Sequence, residues 1–294
     1  MFSRDSRSLA LGLLWLIVGA AGVWSFRDVA STDDAWFRHV VQISALMAWA
    51  AVLMALAVPS TVSLTAARLG APLAIATAVA LAISGDSDNG AWIALLCASA
   101  AAVGVLFTAE IGSVYIQGSA YGSERRVALR PPAWVAVVVP LLWLIAAAGL
   151  IGGVALLGGD HPWLAVPALV VGVALASLLT RACHQLSRRW LVLVPAGLVV
   201  HDPMVLADTV MIPRSALRSV GPALVDTVSS DITANANGLV IEITVTEAIN
   251  IALAGRPGKP GATSLVTNGL LVSPSRPGRF LRLASDHRLP AVKA

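Results

Sequence analysis

Charge is scarce in this 294-residue chain, at 12% of residues, where soluble domains carry roughly a quarter. With 57% hydrophobic residues and a mean hydropathy of +0.81, that deficit excludes an ordinary soluble protein and implies a polytopic membrane protein. Lysine is nearly absent: Lys259 and Lys293 are the only two among 20 basic residues. Together with abundant Ala, Val, Leu and Gly, this points to a high-GC bacterial genome. The net charge of +4 divides evenly between the two halves of the chain. A sequence pI near 9.7 therefore reads as topology signals and contact with anionic phospholipids, with no nucleic-acid partner expected. Two cysteines, Cys97 in an apolar run and Cys183 just after one, provide neither a disulfide framework nor a metal site.

The usual chemical motifs are missing as well. The five histidines, His39, His161, His184, His201 and His287, show no ligand spacing such as HExxH. His201-Asp202 resembles a base with its orienter, but neighbours on a strand point to opposite faces, and a base needs a positioned partner. Ser229, Ser230 and Asp231 lie in a polar loop without a nucleophile elbow. No Walker or Rossmann glycine pattern occurs, so no cofactor is expected. Ion-coupled transporters keep ionisable groups inside the membrane for their work, and none lies near the middle of an apolar run here.

Long apolar runs are what the chain does have. Six spans are expected, at about residues 9–25, 40–58, 64–84, 91–109, 134–157 and 163–180, each near the ~20 residues that cross a hydrocarbon core. Arg4 and Arg7 precede the first run, but no cleavage site lies before the polar loop 25–39, so it reads as a membrane helix rather than a signal peptide. Arg68 in the third span is expected to reach the headgroups. Nine arginines (Arg4, Arg7, Arg68, Arg125, Arg126, Arg130, Arg181, Arg188 and Arg189) fall on one side, and only Arg27 and Arg38 on the other. The positive-inside rule then puts both termini in the cytoplasm of a cell-membrane protein. Helix contacts are expected at the small-residue repeats Ala74, Ala78 and Ala82, at Ala98 and Ala102, and at Gly149 and Gly153. Pro140 and Pro167 are expected to bend the fifth and sixth spans. The inner loop 110–133 reads as a frayed helix end and a linker stopped by Pro131-Pro132, or as a docking surface.

Beyond residue 185 the period changes from helix to strand, which divides the chain into a membrane domain, 1–185, and a β-rich domain, 186–294. Strands are expected at 190–193, 198–201, 209–212, 239–246, 248–253 and 269–272, with a helix at 279–289. In the fourth of these, Leu239, Ile241, Ile243 and Val245 share one face. The text Trp190-Leu-Val-Leu-Val-Pro-Ala-Gly-Leu-Val-Val, followed by Val210-Met-Ile-Pro-Arg-Ser-Ala-Leu-Arg-Ser-Val220, resembles a bacterial pleckstrin-homology-like (PH-like) domain. In that family a GLxV strand precedes an IP-x-x-x-(I/L)-x-x-V strand. The resemblance covers about a third of the chain and implies a cytosolic barrel closed by a C-terminal helix, acting as an interaction module. The polar stretch 222–237 departs from a compact barrel. The basic loop of phosphoinositide-binding relatives is reduced here to Arg256 and Lys259. A PH-like fold fixes no function.

The fold class expected is thus a six-helix membrane bundle followed by a cytosolic PH-like β domain. The function expected is that of a non-catalytic accessory or scaffold subunit of a larger bacterial membrane complex, set in envelope biogenesis or lipid transport. Its partners would be other integral membrane proteins and anionic phospholipids. Arg125, Arg126, Arg130, Arg188 and Arg189 would form the inner basic surface. The alternative is a transporter or channel for an apolar or lipidic solute, which a lateral opening lined by Gly and Ala would favour. An interfacial enzyme would have to draw on Glu110, Tyr115, Gln117 and Tyr121.

Overall fold

The computed structural model describes residues 6–27, 35–85, 88–158, 161–255 and 261–292. Arg256 and Lys259 lie outside the described residues, as does Arg4 of the topology argument. The chain forms two compact units. Unit 1 comprises Met1–Tyr115 with Val138–Ala182; unit 2 comprises Ile116–Val137 with Cys183–Ala294.

Unit 1 is helical. The chain runs through α1 (Ser6–Ser25), α2 (Ala35–Ala57), α3 (Thr61–Gly70), α4 (Pro72–Ser84), α5 (Asn89–Leu106) and α6 (Ala109–Gln117). After an excursion into unit 2 it returns through α7 (Val135–Leu157) and α8 (Pro162–Ser187). Six stretches are long and apolar enough to cross a membrane: Ser6–Ser25, Trp36–Ala57, Thr61–Ser84, Asn89–Leu106, Val135–Leu157 and Pro162–Ser187. The protein is multi-pass by length and composition. Leu11, Trp15, Val18 and Ser25 bury one stripe of α1 at helical spacing, while Leu13 and Ile17 face outward, as lipid-facing side chains do.

The third span begins at Thr61 and is broken in two. Ser60 caps α3, its Oγ accepting from the Ser63 amide at 3.1 Å, which supplies a partner to an otherwise unbonded first-turn N–H. Pro72 has no N–H to donate back to the preceding turn, so the helix stops at Gly70 and restarts. Arg68 lies in the last turn of α3, beside the C-terminal end of α5. Its Nη2 donates to the Leu106 carbonyl at 3.4 Å, and its guanidinium lies 5.4 Å from the Phe107 ring centroid. A cation at the C-terminus of α5 meets the negative end of the helix dipole. The Gly149/Gly153 pair is a contact: a Cβ on Gly149 would lie 2.8 Å from the Ala168 carbonyl oxygen, and one on Gly153 2.7 Å from Leu169 Cγ. The alanine repeat holds in part, since Ala78 is buried, Ala74 half-buried and Ala82 exposed.

Unit 2 holds two four-stranded sheets and a final helix. One sheet runs β1 (Arg125–Ala128), β2 (Trp190–Val194), β3 (Gly197–His201), β4 (Val210–Pro213), all antiparallel. The other has the order β5 (Leu217–Pro222), β7 (Ile241–Leu253), β8 (Thr263–Val272), β6 (Ser230–Asp231). The two expected strands 239–246 and 248–253 are one long β7, whose pairing with β8 shifts register between Thr244 and Ile249. Leu239 lies outside β7 and is 49% exposed, whereas Ile241, Ile243 and Val245 are buried as expected. Gly197 allows the tight β2–β3 turn, because a Cβ there would lie 2.1 Å from the Ile212 carbonyl oxygen. Helix α9 (Pro277–Asp286) turns Phe280, Leu281 and Ala284 into the core shared by both sheets.

The contiguous boundary at residue 185 gives way to a discontinuous unit. The loop read as a linker contains α6 and β1, and Arg125, Arg126, Val127 and Ala128 pair with Leu193, Val192, Leu191 and Trp190. Val127 and Leu129 are buried in the unit 2 core. An excursion between two spans thus completes the sheet.

Candidate functional site

The most developed concavity is in unit 1. A cavity of about 610 Å³ lies between α1 and α2, with α4 and Leu95 of α5 behind it. Its walls follow from small residues: Gly19, Gly22, Ala45 and Ala74 leave room that longer side chains would fill. Closure at one end comes from two tryptophans. Trp15 Nε1 donates to the Trp49 carbonyl at 3.0 Å, and Trp49 Nε1 donates to the Trp15 carbonyl at 2.9 Å. Both carbonyls are also helix acceptors, so each carries a second bond. The Trp49 ring lies against Gly19, where a Cβ would sit 2.6 Å from it; any larger residue there would push the two helices apart.

At the other end the lining includes Gln42 and Arg27. Along α1, Trp15 to Arg27 spans about 18 Å at 1.5 Å per residue. Leu16, Val23 and Leu46 line the same space and are themselves 49, 70 and 58% exposed, so the cavity opens sideways. Its volume falls within the range of ligand pockets, about 300–1,000 Å³. An apolar, laterally open slot with a guanidinium at one end suits a molecule with an apolar chain and an anionic head.

The two tryptophans were legible only as an oddity. Interfacial tryptophans gather at the ends of spans, yet Trp15 and Trp49 sit mid-run. Sequence reasoning assigned helix contacts to alanine repeats and passed over Gly19 and Gly22.

Comparison with family models, curated proteins and solved structures gives no match to this chain. Function must be argued from the residues themselves.

The five arginines expected to share a basic surface do not share one. Arg189 is buried, 1% exposed, and its Nε and Nη2 donate to the Asp202 carboxylate at 2.7–2.9 Å. Its Nη1 donates to the Arg130 carbonyl and its Nη2 also to that of Thr233. The Arg130 side chain is occupied too, with Nη1 donating to the Asn237 carbonyl at 2.7 Å. On β1, Arg125 is exposed at the start of the strand, whereas Arg126, on the opposite face from the buried Val127, is half-buried. Arg126 bonds Glu124 at 2.7 Å and sits 5.1 Å from the Trp190 ring centroid. Trp190 stacks on His201, centroids 5.1 Å apart. Arg125 and Arg188 are the exposed members of the five, and Arg188 is close enough to act on the imidazole.

His201 and Asp202 do diverge. His201 faces out, its Nδ1 2.9 Å from Thr209 Oγ1, while Asp202 faces in to Arg189. Burial, with help from Arg188 and Arg126, holds the His201 imidazole below its ordinary pKa, against the opposing pull of Asp202.

The four candidates for an interfacial enzyme are spread over separate tasks. Glu110 pairs with Arg7 at 3.5 Å. Tyr115 donates to the Leu56 carbonyl at 3.0 Å, and burial pushes its phenol up to about 12. Gln117 holds the turn before β1, donating to the Glu124 carbonyl and accepting from the Arg126 amide. Tyr121 is 83% exposed.

Proposed function

We propose that this is a non-catalytic multi-pass protein of a bacterial cell membrane that accommodates a lipidic molecule, entering sideways, between α1 and α2. The observation that carries the reading is the laterally open, glycine- and alanine-walled cavity of about 610 Å³. In lipid no hydrophobic drive holds helices together, so close packing is the default. A gap sustained between two helices that are bonded to each other through Trp15 and Trp49 therefore favours an occupant. Arg27 at the polar end supports an anionic headgroup.

Unit 2 is read as a cytosolic PH-like module, with both termini cytoplasmic. Its two four-stranded sheets around one core, closed by α9, support the resemblance drawn from residues 190–220. A second reading, an accessory subunit within a larger complex, is favoured by the groove between β4 and the β7–β8 hairpin. That groove is lined by Asp208–Met211 on one side and Ile249–Ala252 on the other. β4 is an edge strand, and an extended segment of a partner protein adds to such an edge by main-chain hydrogen bonds.

The test is mass spectrometry of lipids and proteins retained by the full-length protein in mild detergent, beside the Gly22→Phe variant. Gly22 lines the cavity and has open space where its Cβ would be, so phenylalanine fills the slot without a clash. One lipid class enriched over the bulk membrane, and lost in Gly22→Phe at unchanged thermal stability, is the expected result. Bulk composition in both proteins removes the lipid reading. A stoichiometric set of membrane proteins retained by both moves the conclusion to the accessory subunit.

A further inference from the structure

Loops ordinarily turn polar side chains to water and keep apolar ones in. Residues 223–229 of unit 2, between β5 and β6, do the reverse. Leu224, Val225 and Val228 are 78, 100 and 101% exposed. Two of its three polar side chains point inward: Thr227 Oγ1 donates to Glu242 Oε1, and Ser229 Oγ donates to the same oxygen at 2.5 Å. The Thr227 amide closes a turn onto the Leu224 carbonyl at 3.4 Å. Glu242 thus holds the loop by its hydroxyls, in the arrangement that leaves three branched apolar side chains outermost. In water alone that arrangement is unfavourable, since apolar surface is expelled from water.

The base of this loop is tied to the segment that enters a membrane-length helix. The Ala223 amide donates to the Val240 carbonyl at 3.0 Å. Two residues before Val240, Gly238 packs against the guanidinium of Arg130, and Arg130 itself donates to the Asn237 carbonyl. The Ala133 amide donates to the Asn235 carbonyl at 3.3 Å. Val135, two residues on from Ala133, opens α7, and between them Trp134 is 54% exposed. Leu239, 49% exposed, continues the apolar surface from the loop toward Arg130. All of these contacts lie within unit 2, so a continuous series of bonds links the base of the loop to the entry of α7.

We propose that Leu224, Val225 and Val228 insert into the bilayer interface beside the start of α7, making unit 2 a membrane-resting domain as well as a tethered one. The bilayer is the occupant because α7 must enter it within a few residues of the loop's base. Trp134 is the side chain expected at that depth. Asp226, exposed at the tip, stays at headgroup level while its neighbours go deeper. Apolar side chains on a fixed loop bury the same kind of surface as an interfacial helix. The inference rests on α7 crossing the bilayer and is independent of the cavity in unit 1.

The experiment uses the full-length protein with Cys97 and Cys183 replaced by serine, reconstituted in lipid nanodiscs. A small environment-sensitive fluorophore is attached at Val225→Cys, at Leu144→Cys in α7, and at Val266→Cys on β8. Quenching is read from spin-labelled acyl chains and from aqueous iodide. The expected pattern is at least a twofold acyl-chain quench at positions 225 and 144, little at 266, and iodide protection at 225. Quenching at 144 without quenching at 225 overturns the proposal while leaving the membrane span intact. Protection of 225 from both quenchers also overturns it, because a protein then covers the loop. No quench at 144 instead removes the membrane span on which the proposal rests, and the proposal falls with it.

Discussion

At the scale of single residues, the Arg189–Asp202 pair shows how much one arginine's role depends on its neighbours. Arg188 and Arg189 are adjacent in the sequence, yet one is exposed and the other carries a buried ion pair with two further acceptors, the Arg130 and Thr233 carbonyls, around it. Breaking one half of a buried pair leaves an uncompensated charge and costs about 3–5 kcal/mol. Asp202→Ala should therefore lower the unfolding free energy of unit 2 by about that amount. The joint replacement Arg189→Met with Asp202→Leu should cost much less, which equilibrium unfolding of the two variants would resolve. His201 adds a pH dependence. Its folded pKa lies below the ordinary value of 6.5, so the unfolded chain takes up the proton first as pH falls. Its contribution is complete above about 6.5 and declines with acidification. Hydrogen-exchange protection factors of β2 and β3, corrected for the intrinsic pH dependence of exchange, should fall between pH 7 and pH 5.5, and His201→Phe should flatten that part of the profile.

Among the elements, the close approach of α7 and α8 separates two glycines that the sequence presents alike. Gly149 faces backbone atoms of α8 at 2.8–3.1 Å, while Gly152 has open space where a Cβ would be. Gly149→Ala should destabilise by about 1–3 kcal/mol through overpacking. Gly152→Ala should be neutral or stabilising by up to about 1 kcal/mol, since alanine favours a helix. Thermal unfolding in one detergent compares them directly. The elements were largely legible in the sequence, and for physical reasons. Apolar runs of bilayer length, period-two alternation in residues 241–245 and the Pro-Ala-Gly turn before β3 each state a local preference strongly. What escaped were elements whose character comes from partners. Arg125-Arg126-Val127-Ala128 carries two charges and reads as linker, and only the edge of β2 makes it a strand. Nothing in the run around Arg68 shows that the C-terminus of α5 lies beside it. The cavity escaped for a related reason: a gap is made by residues on several helices, and no single run encodes it.

For the whole molecule, the consequence of β1 is that unit 2 cannot be cut from the chain at one place. A fragment of residues 183–294 keeps β2–β8 and α9 but loses Val127 and Leu129 from the core and leaves one edge of β2 without its four-residue partner. Each lost side chain forfeits about 1.5–3 kcal/mol of burial, against a total stability of about 5–15 kcal/mol for a domain of ordinary size. The bare edge of β2 also invites pairing between copies. The fragment also lacks the carbonyl of Arg130 that accepts from Arg189, so the buried ion pair would be incompletely satisfied. Residues 183–294 alone should therefore be aggregation-prone and rapidly proteolysed. Joining residues 116–134 to residue 183 through a flexible linker should restore a monomeric, protease-resistant domain. Size-exclusion chromatography and timed proteolysis of the two fragments decide this. If the shorter one is monomeric and as resistant as the longer, β1 is an ornament of the sheet and the two units are independent in folding; if only the longer survives, unit 2 is completed only after the fifth and sixth spans, which separate β1 from β2, have been made, and its folding is tied to theirs.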